Sequence, residues 1–373
     1  MPAGRRRFAA PLGPRDRHEA HRAATPLEIF FDLVAVIAIA AAAAGLHHAL
    51  AEGHAVDGTI GFVFGFFAIW WAWMNYTWFA SAFDNGDTLF RLLTLVIMTG
   101  ALILATGIPA FFEGGTLYLG LTGYMVMRFG MVTLWLRVAA DAPDHRRTAL
   151  RFAAGITAVQ GYWLLMILGT SNWGTAFKLL FVLGMALEFA VPLWAERAMN
   201  TPWHRHHIME RYGLLTIIVL GETLLSSVIA TRGAIEHTSL TLDLAMVALS
   251  ALVTAFALWW LYFSDEEHLA SDDTNRAFVW GYGHMLIFGA GAAVGAGFAA
   301  QIDVLTEQAH LSTLNADLAV AIPVAIYFFG LWLVRDRYCL TGPARWVLVV
   351  GALLALATPI LPRSLACLAV LAV

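Results

Sequence analysis

Eleven stretches of about twenty mostly apolar residues constrain this chain more than anything else in it. They lie near 27–46, 59–81, 89–109, 117–138, 149–169, 176–195, 208–230, 241–263, 277–300, 317–334 and 344–361. A helix rising about 1.5 Å per residue needs about 20 residues to cross the ~30 Å hydrocarbon core of a bilayer. Strands of a barrel would alternate lipid-facing and lumen-facing residues, whereas Phe62 to Trp73 is apolar throughout. The expected fold is therefore all-α, a polytopic helical membrane bundle. A twelfth run begins at Ser364 and reaches Val373 after ten residues, too short to span, so the expectation is about 12 transmembrane helices with the last one short.

Composition agrees. The chain is 60% hydrophobic and 13% charged, about half the charge of a soluble domain, which carries roughly 25%. Its glycines have no period, its two cysteines are isolated, and a net charge of −4 offers no basic surface for nucleic acid. Of the 22 basic residues, 18 fall in the N-terminal tail and every second loop, from Arg5, Arg6 and Arg7 to Arg335, Arg337 and Arg345. Positive charge accumulates on the cytoplasmic side. This predicts a cytoplasmic N-terminus and location in the cell (inner) membrane.

The two halves echo each other in order. Glu28 opens the first span as Glu210 opens the seventh, Trp70-Trp71 matches Trp259-Trp260, and Asp87/Arg91 matches Asp272/Arg276. Six spans per half is an even number, so the predicted duplication is parallel. The expected organisation is a basic tail over 1–24, a first six-helix repeat over 25–195, a linker over 196–206 and a second repeat over 207–373.

The segment Thr25-Pro26-Leu27-Glu28-Ile29-Phe30-Phe31-Asp32-Leu33-Val34 resembles the opening signature of the bacterial low temperature requirement protein A (LtrA) family. The likeness continues through Trp70-Trp71-Ala72-Trp73, His207-Ile208-Met209-Glu210-Arg211-Tyr212-Gly213-Leu214, Gly221-Glu222 and Ala257 to Phe263. The resemblance implies a multi-pass bacterial membrane protein named for a cold-growth phenotype, with no settled activity. Ala38 and Ala40 to Ala44 depart from the larger side chains usual in that family and make a smooth face suited to close helix packing.

Ionisable groups inside a membrane are costly, about 2.5–3.5 kcal/mol each on insertion scales, and therefore mark candidate sites. Glu28 and Asp32 are one turn apart near the start of the first span. Glu210 and Arg211 enter the seventh, and Glu222 lies twelve residues deeper than Glu210, or about 18 Å. Glu188, Arg128 and His284 are also deep. Asp32, Glu188 and Glu222 against the single deep cation Arg128 suit a proton relay or cation site. The plainer alternative is that Arg128 pairs with one carboxylate while Trp, Tyr, Ser and backbone groups satisfy the others. For Glu28 and Arg211, close to the interface, snorkelling and helix-end pairing would suffice.

Asp84, Asp87 and Arg91 after the second span, with Asp272 and Arg276 after the eighth, read either as salt-bridged turns or as an acidic mouth that concentrates cations. His207 and Glu210 are three apart, but two ligands are not a metal site, and no metal or cofactor is expected. Catalytic motifs such as His-Glu-x-x-His, Gly-x-Ser-x-Gly or a phosphate-binding glycine loop are absent. The expected function is a proton- or cation-coupled transporter of a small solute. In it Asp32 and Glu222 carry the ion, Arg128 is counter-ion or substrate anchor, and Glu188 and His284 relay. Alternatives are a cation channel, an intramembrane enzyme using Glu28 and Asp32 on a lipid or apolar metabolite, or a structural or sensory protein. Expected partners are membrane lipid, a proton or cation and a small solute, and no nucleic acid.

Overall fold

A computed structural model describes residues 8–20, 22–170, 174–237, 241–264 and 274–360. Among these, every regular element is helical. Eleven helices are long and apolar enough to cross a membrane. Their α-helical parts are α1 (Pro26–Ala51), α2 (Ala55–Phe83), α3 (Thr88–Gly107), α4 (Tyr118–Asp141), α5 (Arg146–Gly169), α6 (Thr175–Ala195), α7 (Arg205–His237), α8 (Leu242–Phe263), α9 (Thr274–Leu305), α10 (Thr313–Leu331) and α11 (Val347–Ala357), the last extended by tighter helical turns at both ends to a span over Gly342–Ile360. The short run from Ser364 lies outside the described residues. Several helices outlast their apolar stretch. The helix α7, for example, begins at Arg205 and ends at His237, because helical hydrogen bonding continues into the interface where polar side chains are solvated.

The chain divides into two compact units that are not its two sequence halves. Residues 1–38 and 67–211 form the first, and residues 39–66 and 212–373 the second. The boundaries thus fall inside α1 and α2 and within the first turns of α7.

In the first unit, α3 and α4 approach closely. A methyl group at Gly123 would overlap the Leu104 backbone, and one at Gly100 would lie 2.7 Å from the Gly123 carbonyl oxygen. Small residues let helix backbones meet when lipid supplies no hydrophobic drive between them. The N-terminal segment is fastened rather than loose. Arg22 is buried and donates to the carbonyls of Ala80 (2.7 Å) and Ser81, closing the last turn of α2. Arg15 donates to the Asp84 carbonyl at 2.9 Å, and the Leu12 amide donates to Asp141 Oδ2 at 2.9 Å. Burial, and then the charge of Arg15, lowers the pKa of Arg22 to about 10.

The second unit is held differently. Its interior is aromatic and small, with Tyr212, Trp280, His284 and Phe288 in mutual ring contact. Thr223 Oγ1 donates to the Gly291 carbonyl at 2.8 Å, joining α7 to α9. A π-helical turn, Trp332–Asp336, follows α10. It turns Arg335 toward the end of α8, where Nη1 donates to the Leu261 carbonyl at 2.6 Å.

Candidate functional site: two buried ion networks

Both networks lie within the first unit. The first starts from the local chemistry of α1. Thr25 precedes Pro26, whose missing N–H and fixed φ suit the first helical position. Glu28 three residues on completes a reciprocal cap: Oε2 accepts from the Thr25 amide (2.8 Å) and hydroxyl (2.9 Å), and the Glu28 amide donates to Thr25 Oγ1 (3.3 Å). That leaves Oε1, which sits 3.1 Å from Arg211 Nη1 and 3.1 Å from His207 Nε2. These are contacts of charge rather than aligned hydrogen bonds, so among the described residues neither ring nitrogen of His207 has a hydrogen-bond partner.

Asp32 lies one turn further along the same face. Arg211 grips it side-on, Nη2 to Oδ1 at 2.5 Å and Nε to Oδ2 at 3.2 Å, and Trp73 Nε1 donates to Oδ1 at 2.6 Å. Arg211 Nη2 also donates to the Glu28 carbonyl at 3.2 Å. His207 and Arg211 are four apart on α7 and so share a helix face. Glu28, Asp32, His207 and Arg211 are all 0% exposed.

The second network joins α4 and α6. Glu188 Oε2 accepts from Trp71 Nε1 (2.8 Å) and Arg128 Nη2 (3.2 Å), while Oε1 accepts from the Tyr124 hydroxyl (2.7 Å), Trp163 Nε1 (3.2 Å) and Gln160 Nε2 (3.3 Å). Tyr124 in turn accepts from Arg128 Nη2 at 2.5 Å, and the guanidinium carbon lies 4.7 Å from the centre of its ring. The aim of Trp163 depends on Gly184, one turn before Glu188: a Cβ there would fall inside the indole ring. An apolar cavity of about 30 Å³ opens beside Tyr124 and Trp163, walled also by Phe67, Phe111 and Phe181. That is room for about one water molecule. Trp71 and Trp73, two apart on α2, point to opposite faces of that helix, so each network receives one indole N–H from it.

The sequence model for bacterial low temperature requirement A proteins matches residues 23–373, nearly the whole chain. The chain belongs to the LtrA family. An uncharacterized protein of Rhizobium meliloti (strain 1021), RA0937, is 27% identical over 328 residues, covering 83% of this chain and 76% of the relative. No solved structure matches. With its apolar helices, this LtrA protein is a multi-pass membrane protein. Two of the segments that carry the family likeness, around 25–34 and 207–214, are the ones whose charged side chains meet in the first network.

The remaining predicted site residues are distributed as follows. Arg128 is the partner of Glu188, not of Asp32, whose cation is Arg211. Arg211 therefore does not snorkel to the interface; it is the centre of a buried cluster. Glu210, its neighbour in sequence, is exposed and accepts the Ala24 amide at 3.1 Å. Glu222, in the second unit, is half-buried and has no hydrogen bond or ion pair among the described residues. His284 is buried in the same unit, with Nδ1 2.7 Å from the Trp280 carbonyl oxygen and Nε2 3.0 Å from the Tyr262 hydroxyl.

Asp84 and Asp87 are buried rather than lining an open mouth. Asp84 Oδ1 accepts the Gly86 amide at 2.7 Å, and burial raises its pKa. Asp87 caps α3 through the Phe90 amide (2.6 Å) and pairs with Arg137 at 2.7 Å, not with Arg91, which is exposed. Burial alone would raise the Asp87 pKa; the Arg137 guanidinium and the Phe90 and Ala10 amides outweigh it and hold it below the ordinary value. Asp272 lies outside the described residues, and the Arg276 guanidinium rests 4.7 Å from the centre of the Tyr338 ring.

Arg211 and His207, which the sequence offers only as an interfacial cation and half of an incomplete metal pair, join Trp71, Trp73 and Tyr124 as site residues that charge alone does not reveal. The i, i+4 spacing of His207 and Arg211 inside the second family-like segment is the signal that points to two of them.

Proposed function

We propose that this LtrA protein is a proton-coupled transporter of a small solute, and that Glu28, Asp32, His207 and Arg211 hold the coupling proton. The observation that supports this is a charge count in a fully buried place. Two carboxylates face one arginine and one imidazole, so the cluster is neutral with one added proton and carries one negative charge without it. An uncompensated charge in a low-dielectric interior is costly, so loss of that proton must be matched by an incoming cation or by opening of the site to water. A site that cannot change its proton count without changing conformation or ligand is what proton coupling requires. In this reading the chain lies in the inner membrane with its N-terminus cytoplasmic, as its basic residues argue. The segments 25–195 and 207–373 are the two six-helix repeats of this reading by sequence, and the compact units cut across them.

The test is reconstitution into vesicles carrying an internal pH-sensitive dye, with an imposed pH gradient and a panel of small solutes added outside. A solute-dependent change in internal pH is expected from the wild type. Asp32→Asn and Glu28→Gln are expected to lower it at least tenfold while each still melts cooperatively. Wild-type proton movement in both variants would overturn the proposal.

A further inference from the structure

The deeply buried arginines of the first unit are committed to partners. Arg128, Arg137 and Arg211 have carboxylates, and Arg22 has two backbone carbonyls. Arg146, Arg147, Arg151 and Arg197 are different: among the described residues none of them forms an ion pair. Their positions are close. Arg147 and Arg151 are one turn apart on the first turns of α5, hence on one face. The Arg151 guanidinium lies 5.4 Å from the centre of the Trp194 ring at the end of α6, and its Nη1 donates to the Trp194 carbonyl at 3.2 Å. Thr148 Oγ1 donates to the Met199 carbonyl at 2.9 Å, which ties the stretch containing Arg197 to the same turn of α5.

Neighbouring acids offset the patch only in part, and none of them forms an ion pair with its arginines among the described residues. Glu196 turns inward to the Thr201 hydroxyl at 2.6 Å, and Asp141 accepts the Leu12 amide. Asp144 is exposed at the turn before α5, so four guanidinium charges still exceed the three carboxylates of Asp141, Asp144 and Glu196, and the formal sum stays positive. Around these charges Leu150, Leu193, Trp194 and Met199 are exposed apolar side chains.

The patch also sits at the ends of two membrane spans, α5 and α6, the height at which headgroups lie. Guanidinium groups bind phosphate oxygens in a fork that matches them, and an exposed tryptophan beside them is the side chain that prefers the headgroup boundary. We propose that Arg146, Arg147, Arg151 and Arg197 bind the phosphate of an anionic phospholipid, whose acyl chains run along Trp194 and Leu193. A zwitterionic lipid carries a compensating cation into the same cationic patch and is disfavoured there.

The experiment uses the full chain in mild detergent, offered phosphatidylglycerol or phosphatidylcholine in mixed micelles and weighed intact by native mass spectrometry. Phosphatidylglycerol is expected to stay bound and phosphatidylcholine to leave. The Arg147→Gln/Arg151→Gln variant should retain less phosphatidylglycerol, by about fivefold for each arginine removed, and Arg232→Gln, an exposed arginine on α7, should retain it as the wild type does. Should the double variant not fold, Arg147→Gln/Arg197→Gln, which removes no hydrogen bond found in the structure, carries the same expectation. Wild-type retention by the folded variant, or displacement of the lipid by glycerol phosphate alone at equal concentration, would overturn the assignment to a phospholipid.

Discussion

Arg128 and Arg211 are both buried, each faces a carboxylate, and each is supported by an indole from α2, yet their surroundings differ in one decisive respect. Glu188 is the only acid beside Arg128, and it also receives four neutral donors from Trp71, Tyr124, Gln160 and Trp163. One carboxylate balances one guanidinium there in charge, although Arg128 Nε and Nη1 find no hydrogen-bond partner among the described residues. Arg211 meets two carboxylates, and the group that can balance the second is an imidazole, which is charged or neutral according to the proton it holds. On the proposed function, the same buried Arg–carboxylate contact is a structural rivet where acids and fixed cations are equal in number, and a proton site where acids exceed them by one.

The largest expected effect tests that inequality. Arg211→Gln strands two buried carboxylates and should cost about 3–5 kcal/mol, the range for breaking a buried pair from one side. Arg128→Gln leaves Glu188 among its four neutral donors and should cost less than half as much. Thermal melting in detergent compares them, and equal losses would break the distinction. Next, Gly184→Ala pushes the Trp163 ring away from Glu188 and should cost about 1–3 kcal/mol by overpacking, without touching proton movement at the other network. A change in vesicle pH response from Gly184→Ala would show that the two networks are not separable.

A pH scan sharpens the comparison further, provided a group outside both networks is removed first. Glu196, beyond the end of α6, has its pKa raised by burial to about 7. Because that folded value lies above the ordinary carboxylate value, its contribution to stability is complete below about pH 4.5 and is lost as pH rises through about 7. Its size is on the order of 3 kcal/mol. Glu196→Gln should flatten that part of the melting profile, and a profile unchanged from the wild type would show that Glu196 does not carry it. Smallest is the loop pair: Arg137→Gln should destabilise by about 1–2 kcal/mol through loss of Asp87's charged partner, while Arg91→Gln should stay within about 0.5 kcal/mol. The reverse order would restore the one-turn pairing that spacing alone suggests.

The helices were legible in the sequence because a bilayer imposes length and apolarity on every span, and eleven runs became eleven helices. Partners were less legible because ion pairing is settled by helices distant in the chain. Asp87 and Arg91 have ideal spacing, but Asp87 is engaged in capping α3 and points to Arg137 on α4. Arg211 sits one residue from an exposed glutamate at a span entrance, where a long side chain can ordinarily reach water; only the position of α1 shows that it turns inward. The reciprocal Thr25/Glu28 cap, by contrast, is written openly as Thr-Pro-Leu-Glu, and it fixes half of the Glu28 carboxylate before any tertiary contact forms.

The long sequence separation of the first network has a consequence for biosynthesis. Asp32 and Arg211 are 179 residues apart, so at about 5–20 residues per second the ribosome needs about 10–40 s to deliver the cation after the acid. During that interval α1 is already at the translocon with two carboxylates and no arginine, and the helix that ends their wait is the seventh to emerge. A chain interrupted before Arg205 carries α1 without its counter-charge, and both of its carboxylates are left without the guanidinium that faces them in the finished fold.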